Sequence, residues 1–113
     1  MMQEIKIIDI IRTRNAILHE FGIKVYNVVK PFVDAQKEVR ISFEGLKNVT
    51  SGFCNASIGK LFLEVEKPEK FIHITGLEGH DIWKEKVSDA ITLARNPEII
   101  RIQNDAISEL LIS

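Results

Sequence analysis

Residues 39–62 read VRISFEGLKNVTSGFCNASIGKLF, and this stretch decides the fold because its periodicity changes from that of a strand to that of a helix. Val39, Ile41 and Phe43 alternate with polar residues, and a period of two places them on one face of a strand. After a Glu-Gly turn signal and a short connection, apolar residues recur at helical spacing. The stretch therefore predicts a strand followed closely by a helix, whose apolar positions are Cys54, Ile58, Leu61, Phe62 and Val65.

The junction between this strand and this helix carries two hydroxyl residues and a glycine, Thr50, Ser51 and Gly52. A Thr or Ser at a helix start accepts a hydrogen bond from a backbone N–H group that has no partner inside the helix. The same end of the helix is the positive end of the macrodipole, which stabilises a phosphorylated hydroxyl. Capping and phosphate recognition both stay open as roles for this hydroxyl pair.

A strip of small residues continues along the same helix. Gly52, Ala56 and Gly59 follow one another at steps of four and three, which places them on neighbouring turns of one face. Another backbone can approach such a strip closely. The spacing therefore predicts either buried packing or a recognition surface.

On the N-terminal side, the sequence predicts two short strands and a helix. Residues 4–11 form a β-branched run that predicts a first strand, and residues 15–20 predict a short second strand that pairs with it. Over residues 21–36 the apolar side chains recur at helical spacing. Pro31 lies inside this helix, and an interior proline predicts a kink or the start of a new turn.

On the C-terminal side, the sequence predicts a loop, a strand and two helices. The charged run at residues 66–70, broken by a proline, predicts a solvated loop, and residues 71–75 predict a strand. The apolar stripe over residues 83–94 predicts a helix. Asn96 followed by a proline is an N-cap and first-turn signal for a last helix, for which a strand at residues 99–102 is the alternative.

Composition limits the class of protein. The chain has 113 residues, 45% of them hydrophobic and 27% charged, which is typical of one soluble globular domain. The net charge of −1 gives no overall field that favours nucleic acid. The longest uncharged apolar run is far shorter than the ~20 residues that span a bilayer, so we expect no membrane span.

The single cysteine bears on the cellular compartment. Cys54 has no second cysteine with which to form an intramolecular disulfide, and the first twenty residues lack the pattern of a signal peptide. We therefore expect the protein in the reducing cytoplasm. Cys54 falls on the apolar stripe of its helix, where a free cysteine usually behaves as a small buried hydrophobe rather than as a nucleophile.

The stretch that decides the fold resembles the STAS-like family of small domains. The family pattern is an alternating strand that ends in a phenylalanine, then a turn, then V-T-S-x-F-x-N-x-x-I-G-x-L, which this chain carries from Val49 to Leu61. In the order of elements the resemblance covers residues 5–95 and leaves residues 96–113 as an extra C-terminal helix. It implies one α/β domain over residues 1–113, with a four- to five-stranded mixed sheet packed with about four helices.

The STAS-like family is related in fold to the anti-sigma factor antagonists, and this relation suggests a function. In those antagonists the strand-to-helix turn reads Asp-Ser-Ser-Gly, and a histidine-kinase-like ATPase phosphorylates its first serine, which abolishes binding. By position Ser51 lies where that serine lies, while Thr50 replaces the Asp, Gly52 the second Ser and Phe53 the Gly. The resemblance therefore implies a non-enzymatic regulatory domain.

The leading hypothesis is thus a cytoplasmic domain that binds a protein partner, such as an ATPase of that type or another regulator. The candidate phosphoacceptor is Ser51, with Thr50 as the other hydroxyl at the turn. Neither a metal nor a cofactor is expected. The expected partner-binding residues are Thr50, Ser51, Gly52, Asn55, Ala56 and Gly59.

Two alternatives belong to other classes of function. The first is an enzyme that handles a small molecule with His73, His80 and Asp81, although a helix-capping role for Asp81 is the simpler interpretation. The second is a structural subunit that forms a homodimer through the apolar last helix, residues 99–111.

Overall fold

The computed structural model describes residues 2–96, and that range contains five strands and five helical segments. The strands are β1 (Gln3–Lys6), β2 (Asn15–Ala16), β3 (Val39–Ser42), β4 (Asn48–Val49) and β5 (Ile72–Thr75). The helices are α1 (Ile7–Ile11), α2 (His19–Asp34), α3 (residues 51–64), α4 (Pro68–Phe71) and α5 (Asp81–Arg95). The mixed α/β architecture is confirmed.

Every described strand pair is parallel, and the strands form two small sheets. The larger sheet has the order β1-β3-β5, so β3 is its central strand, and its register aligns Ile5, Ile41 and Ile74. The smaller sheet pairs β2 with β4. The main sheet therefore has three described strands, fewer than the four to five that were expected, because β2 and β4 pair with each other instead of extending it.

The first predicted strand is shorter than expected. Only Gln3–Lys6 is extended, and Ile7–Ile11 forms the one-turn helix α1 with Ile7 and Ile11 buried. These two isoleucines are four residues apart, which is helical spacing, but an apolar run of this length shows no unambiguous period. Arg12 then adopts a left-handed conformation at φ 57° and ends α1, so the chain reaches β2 in a different sheet and the predicted pairing with the first strand is wrong.

The predicted helix over residues 21–36 is confirmed as α2. Its buried side chains Val25, Val29 and Val33 recur every fourth residue and face the core. The helix stays helical through Pro31, whose carbonyl oxygen accepts a hydrogen bond from the Ala35 backbone at 3.1 Å. The apolar stripe thus continues across the proline.

The strand-to-helix stretch is the centre of the core. Val39, Ile41 and Phe43 are fully buried, as their alternation predicts. Phe43 meets Phe53 of α3 edge to face, with ring centroids 6.4 Å apart and planes at 87°. The aromatic contact joins the residue that follows β3 to the start of α3, so the sheet positions the turn between them.

The remaining elements follow the prediction apart from one segment. β5 and α5 form where a strand and a helix were expected. The predicted loop at residues 66–70 is wrong in its second half, because Pro68 is buried and begins α4 at the first-turn position that proline favours. Lys67 precedes it in a left-handed conformation at φ 55°.

The described chain ends just after α5. Asn96 caps its C-terminal end, where the backbone N–H donates to the Leu93 carbonyl at 3.2 Å and the side-chain amide to the Thr92 carbonyl at 2.8 Å. The predicted last helix and its alternative strand at residues 99–102 lie outside the described residues. Over residues 2–96, every helix is too short or too polar to traverse a lipid bilayer.

Candidate partner-binding site

Thr50 fixes the start of α3. Its hydroxyl oxygen accepts a hydrogen bond from the Phe53 backbone N–H at 3.2 Å, which is the predicted cap. The same hydroxyl donates to the Ile17 carbonyl at 3.2 Å, and the Thr50 backbone N–H donates to the Ala16 carbonyl at 3.1 Å. Both the side chain and the backbone of Thr50 are therefore hydrogen-bonded, and they connect the start of α3 to the chain that leaves β2.

Ser51 and Gly52 occupy the first two positions of α3, and both are exposed. The N–H groups at these positions have no acceptor inside a helix, because the preceding turn is missing. Among residues 2–96, no heavy atom outside the adjoining backbone of the helix lies within 4 Å of the place where a Cβ on Gly52 would be. The turn therefore presents an open hydroxyl and two backbone donors to its surroundings.

A cation from a distant part of the chain lies beside this turn. Lys86, on α5, donates from Nζ to the Val49 carbonyl at 2.8 Å, immediately before Thr50. Its charge adds to the positive end of the α3 dipole. Burial raises the pKa of the neighbouring Cys54 thiol to about 12 although Lys86 acts to lower it, so Cys54 remains a protonated core residue at neutral pH.

Two residues with exposed apolar side chains lie in the chain segment to which Thr50 is hydrogen-bonded. Ile17 is 47% exposed and Leu18 is 43% exposed, and the Ile17 carbonyl is the acceptor of the Thr50 hydroxyl. We call Ile17, Leu18, Thr50, Ser51 and Gly52 the α3-start surface. It combines two exposed apolar side chains with the positive end of a helix.

The predicted strip of small residues has a packing role inside the molecule. Ala56 and Gly59 are buried, and a Cβ added to Gly59 would lie 3.4 Å from the Ala90 carbonyl oxygen of α5. A Cβ added to Gly22 of α2 would lie 2.6 Å from the Ala56 Cβ. The close approach that the strip predicts is thus made by helices of the same chain.

The middle of α3 is wider than an α-helix. Residues Asn55–Gly59 form a π-helical turn between the α-helical turns Ser51–Cys54 and Lys60–Glu64. The buried Ser57 hydroxyl donates a hydrogen bond to the Phe53 carbonyl oxygen, four residues earlier, at 2.8 Å. This bond gives the Phe53 carbonyl a side-chain partner at the point where the backbone hydrogen bonds change from the α-helical to the π-helical pattern. Such turns occur frequently at functional sites.

A groove of about 500 Å³ runs along this part of α3, between α2 and α5. Asn55, Ala56 and Gly59 line it. The six predicted partner-binding residues therefore divide into two groups, three on the α3-start surface and three in this groove. The other lining residues are His19, Ile23, Lys60, Leu63, Glu64, Ala90, Leu93 and Ala94.

The residues of the enzyme alternative have separate surroundings. The ring of His73, on β5, lies 3.2 Å from a carboxylate oxygen of Glu38, and the ring of His80 stacks on Trp83 at 3.9 Å. Asp81 begins α5 with its side chain almost fully exposed, 3.8 Å from the Lys84 ammonium group, and makes no capping hydrogen bond to the described helix start. The described contacts do not join these three groups into one site.

Sequence reasoning missed the residues that other elements bring to the site. Lys86 lies 35 residues after Ser51 on another helix, and its role depends on the packing of α5 against α3. Ile17 and Leu18 were predicted to lie in a strand, so nothing in the sequence indicated that their side chains would be exposed in the segment bonded to Thr50. Thr50 as the cap was found because capping residues have a local signature.

Comparison with known proteins identifies the family. One family model matches residues 22–81, and it is described as a STAS-like domain of unknown function (DUF4325). No curated protein and no solved structure matched the chain. The matched segment runs from α2 to the first residue of α5, includes the whole strand-to-helix stretch and covers more than half of the 113 residues. The chain therefore belongs to this family of STAS-like domains.

Proposed function

We propose that this chain is a regulatory domain that binds a protein partner through the α3-start surface, and that phosphorylation of Ser51 switches this binding off. The observation that carries the proposal is the exposed Ser51 residue at the positive end of α3, where Lys86 adds a further positive charge. Membership of the STAS-like family supports a regulatory role, because such domains are generally not enzymes.

The contacts of the two hydroxyls favour Ser51 over Thr50 as the phosphoacceptor. The Thr50 hydroxyl accepts from Phe53 and donates to the Ile17 carbonyl, so its modification breaks the cap and the link to β2. Ser51 is exposed, and a phosphate on it meets no such cost. A kinase that needs an accessible hydroxyl is therefore expected to phosphorylate Ser51 in preference to Thr50.

The electrostatics of the turn support the direction of the switch. A phosphate adds about −1.5 to −2 charges, and the positive end of α3 together with Lys86 stabilises that charge near the turn. A partner contact that also covers the exposed side chains of Ile17 and Leu18 would have to desolvate this phosphate. Phosphorylation is therefore expected to release the partner.

The proposed kinase is a histidine-kinase-like ATPase, as the resemblance to anti-sigma factor antagonists implies, and it is also a candidate for the partner itself. Binding and modification at one surface make such a switch self-limiting, because the kinase loses contact with the product that it makes. The proposal needs neither a cofactor nor a metal ion.

Mapping of phosphate on the native protein tests the acceptor assignment. We expect mass spectrometry of protein purified from its native cytosol, with phosphatase inhibitors present, to find phosphate on Ser51 and not on Thr50. The Ser51→Ala variant should lose this phosphate. Ser88→Ala is the matched control, because Ser88 is also exposed but lies on α5.

Two results would contradict the assignment. One is phosphate on Thr50 with Ser51 unmodified, since that modification requires the cap to open. The other is an unchanged total amount of phosphate on the Ser51→Ala variant, with the phosphate on a hydroxyl elsewhere in the chain. The α3-start surface would then have no special role.

A further inference from the structure

The larger sheet has an open edge at β1. Among residues 2–96, β1 pairs with β3 alone, and Gln3, Glu4 and Lys6 are exposed. An edge strand presents backbone N–H and C=O groups that have no partner, and such a strand is a template for pairing with another strand. The open edge of β1 is therefore a candidate contact surface for a further strand.

The hydrogen bonds of β1 show which backbone groups face this edge. The Gln3 N–H donates to the Glu38 carbonyl oxygen at 3.0 Å, so the backbone of Gln3 points toward β3. Backbone groups alternate in direction along a strand, so those of Ile5 also point toward β3, and those of Glu4 and Lys6 point away from it. The open edge therefore carries the N–H and carbonyl groups of Glu4 and the N–H group of Lys6.

Two copies of β1 fit each other when they run antiparallel. In a two-fold contact, a residue of one copy faces a second residue of the other copy, and the reverse contact follows by symmetry. Three registers bring the outward backbone groups together, namely Glu4 opposite Glu4, Lys6 opposite Lys6, and Glu4 opposite Lys6. The first two place like charges directly opposite each other, which is destabilising, whereas the third places opposite charges at both ends of the contact. The strand is therefore self-complementary in one of the three registers.

The charges inside each chain favour the same register. Glu4 lies beside Arg40 of β3, whose guanidinium group is 3.7 Å from the Glu4 carboxylate. Lys6 lies beside the uncharged Ser42 and makes none of the ion pairs found among residues 2–96. A second copy in the self-complementary register gives Lys6 a carboxylate partner, because side chains of directly opposed residues extend from the same face of a sheet.

We propose that two copies of this chain pair through antiparallel β1 strands, with Glu4 of each copy opposite Lys6 of the other. The pairing joins two three-stranded sheets into one continuous sheet, and the Lys6 N–H of each copy donates to the Glu4 carbonyl oxygen of the other. Because β1 has only four residues, the contact is small, and we expect a reversible dimer rather than an obligate one. This inference rests on the sheet edge and stands whether or not Ser51 is phosphorylated.

Sedimentation analysis of charge-reversed variants of the full chain tests this pairing. Wild type should form a dimer whose population rises with concentration. Glu4→Lys and Lys6→Glu each place like charges opposite each other at both ends of the contact, so each should raise the dissociation constant of its homodimer about tenfold or more. When the two variants are mixed, opposite charges face each other again, and the heterodimer should be at least about tenfold tighter than either homodimer.

Lys84→Glu is the matched control. It makes the same change of charge at an exposed residue of α5 and should dimerise like wild type, and circular dichroism checks that every variant is folded. A wild-type chain that remains monomeric at about 1 mM would overturn the proposal. Unchanged dimerisation of Lys6→Glu would overturn it as well, and so would a mixture of the two β1 variants that associates no better than either variant alone.

Hydrogen exchange of the unmodified chain provides a second measurement that needs no substitution. The amide groups of Glu4 and Lys6 become hydrogen-bonded only in the dimer, so their exchange should slow several-fold as the protein concentration rises through the dissociation constant. The Gln3 amide is the internal control, because its bond to Glu38 is present in each single chain. Fast exchange of Glu4 and Lys6 at every concentration would overturn the proposal. Slow exchange in the monomer would also overturn it, because another segment of the same chain would then occupy the edge.

Discussion

The Gly76→Ala variant is expected to lower the free energy of unfolding by about 3 kcal/mol or more, which is the sum of a backbone strain and a steric overlap. Gly76 has φ +82°, a conformation that L side chains rarely adopt. An added Cβ would lie 2.6 Å from the Glu44 backbone nitrogen and 2.9 Å from that of Phe43. Both atoms belong to the backbone that leaves β3, so no side chain is able to move aside.

Gly79→Ala separates the two causes. Gly79 has nearly the same φ, +78°, but among residues 2–96 no heavy atom lies within 4 Å of its would-be Cβ. It should therefore show only the backbone strain, about 1 to 2 kcal/mol. Urea unfolding of the two variants measures the difference. Equal losses would mean that the close approach of the β5 end to the β3 end is not as described.

The second large effect is expected for Gly22→Val, which concerns the contact that builds one wall of the groove. Here φ is not positive, so the loss comes from packing alone. The new Cβ would meet the Ala56 Cβ at 2.6 Å and the Phe53 carbonyl oxygen at 2.7 Å. Overpacking of this kind costs about 1 to 3 kcal/mol, and the two methyl groups of valine add to the overlap.

Gly52→Val is the matched control, because the same substitution is made in open space at the start of α3. Valine and glycine differ little in helix propensity, so its stability should change by less than about 0.5 kcal/mol. The measurement is again the urea midpoint of both variants. A Gly22→Val protein as stable as the Gly52→Val protein would show that α2 and α3 do not approach as closely as the fold requires.

The residues that the sequence placed correctly are those whose neighbours are close in the chain. The alternation of Val39, Ile41 and Phe43 has one interpretation, a half-buried strand, because polar residues separate the three. α2 and α5 were found because their apolar stripes extend over more than three turns, which is long enough for a period to be unambiguous. The cap at Thr50 depends only on the residue and the helix that follows it.

The errors have a common physical cause, which is that short segments take their structure from distant contacts. Ile7–Ile11 is helical although its residues favour strands, since a five-residue segment has too little propensity to oppose packing. β2 and β4 have two residues each, and they pair across more than thirty residues of chain. Their pairing therefore depends on the positions of the elements between them and has no local sequence signal. The sheet was therefore predicted with more strands than the described residues place in it.

The candidate site shows the same division. Thr50 and Ser51 were visible as a hydroxyl pair at a helix start. Their different surroundings were not visible, because they depend on the Ile17 carbonyl and on Lys86 of another helix. The small residues were found by spacing, but spacing alone left buried packing and recognition equally open, and the structure places α2 and α5 against them.

Affinity capture measures whether negative charge at Ser51 switches a protein contact. Tagged wild type, Ser51→Ala, Ser51→Asp and Ser88→Asp are used in parallel to capture proteins from a lysate of the native cells. The captured proteins are identified and quantified by mass spectrometry. Ser88→Asp controls for added charge on an exposed helix residue.

We expect wild type, Ser51→Ala and Ser88→Asp to retain one regulator or ATPase, and Ser51→Asp to retain about tenfold less of it. A tenfold loss corresponds to about 1.4 kcal/mol, which is within the cost of leaving a carboxylate unpaired in an apolar contact. Equal retention by Ser51→Asp and wild type would contradict the switch at the α3-start surface.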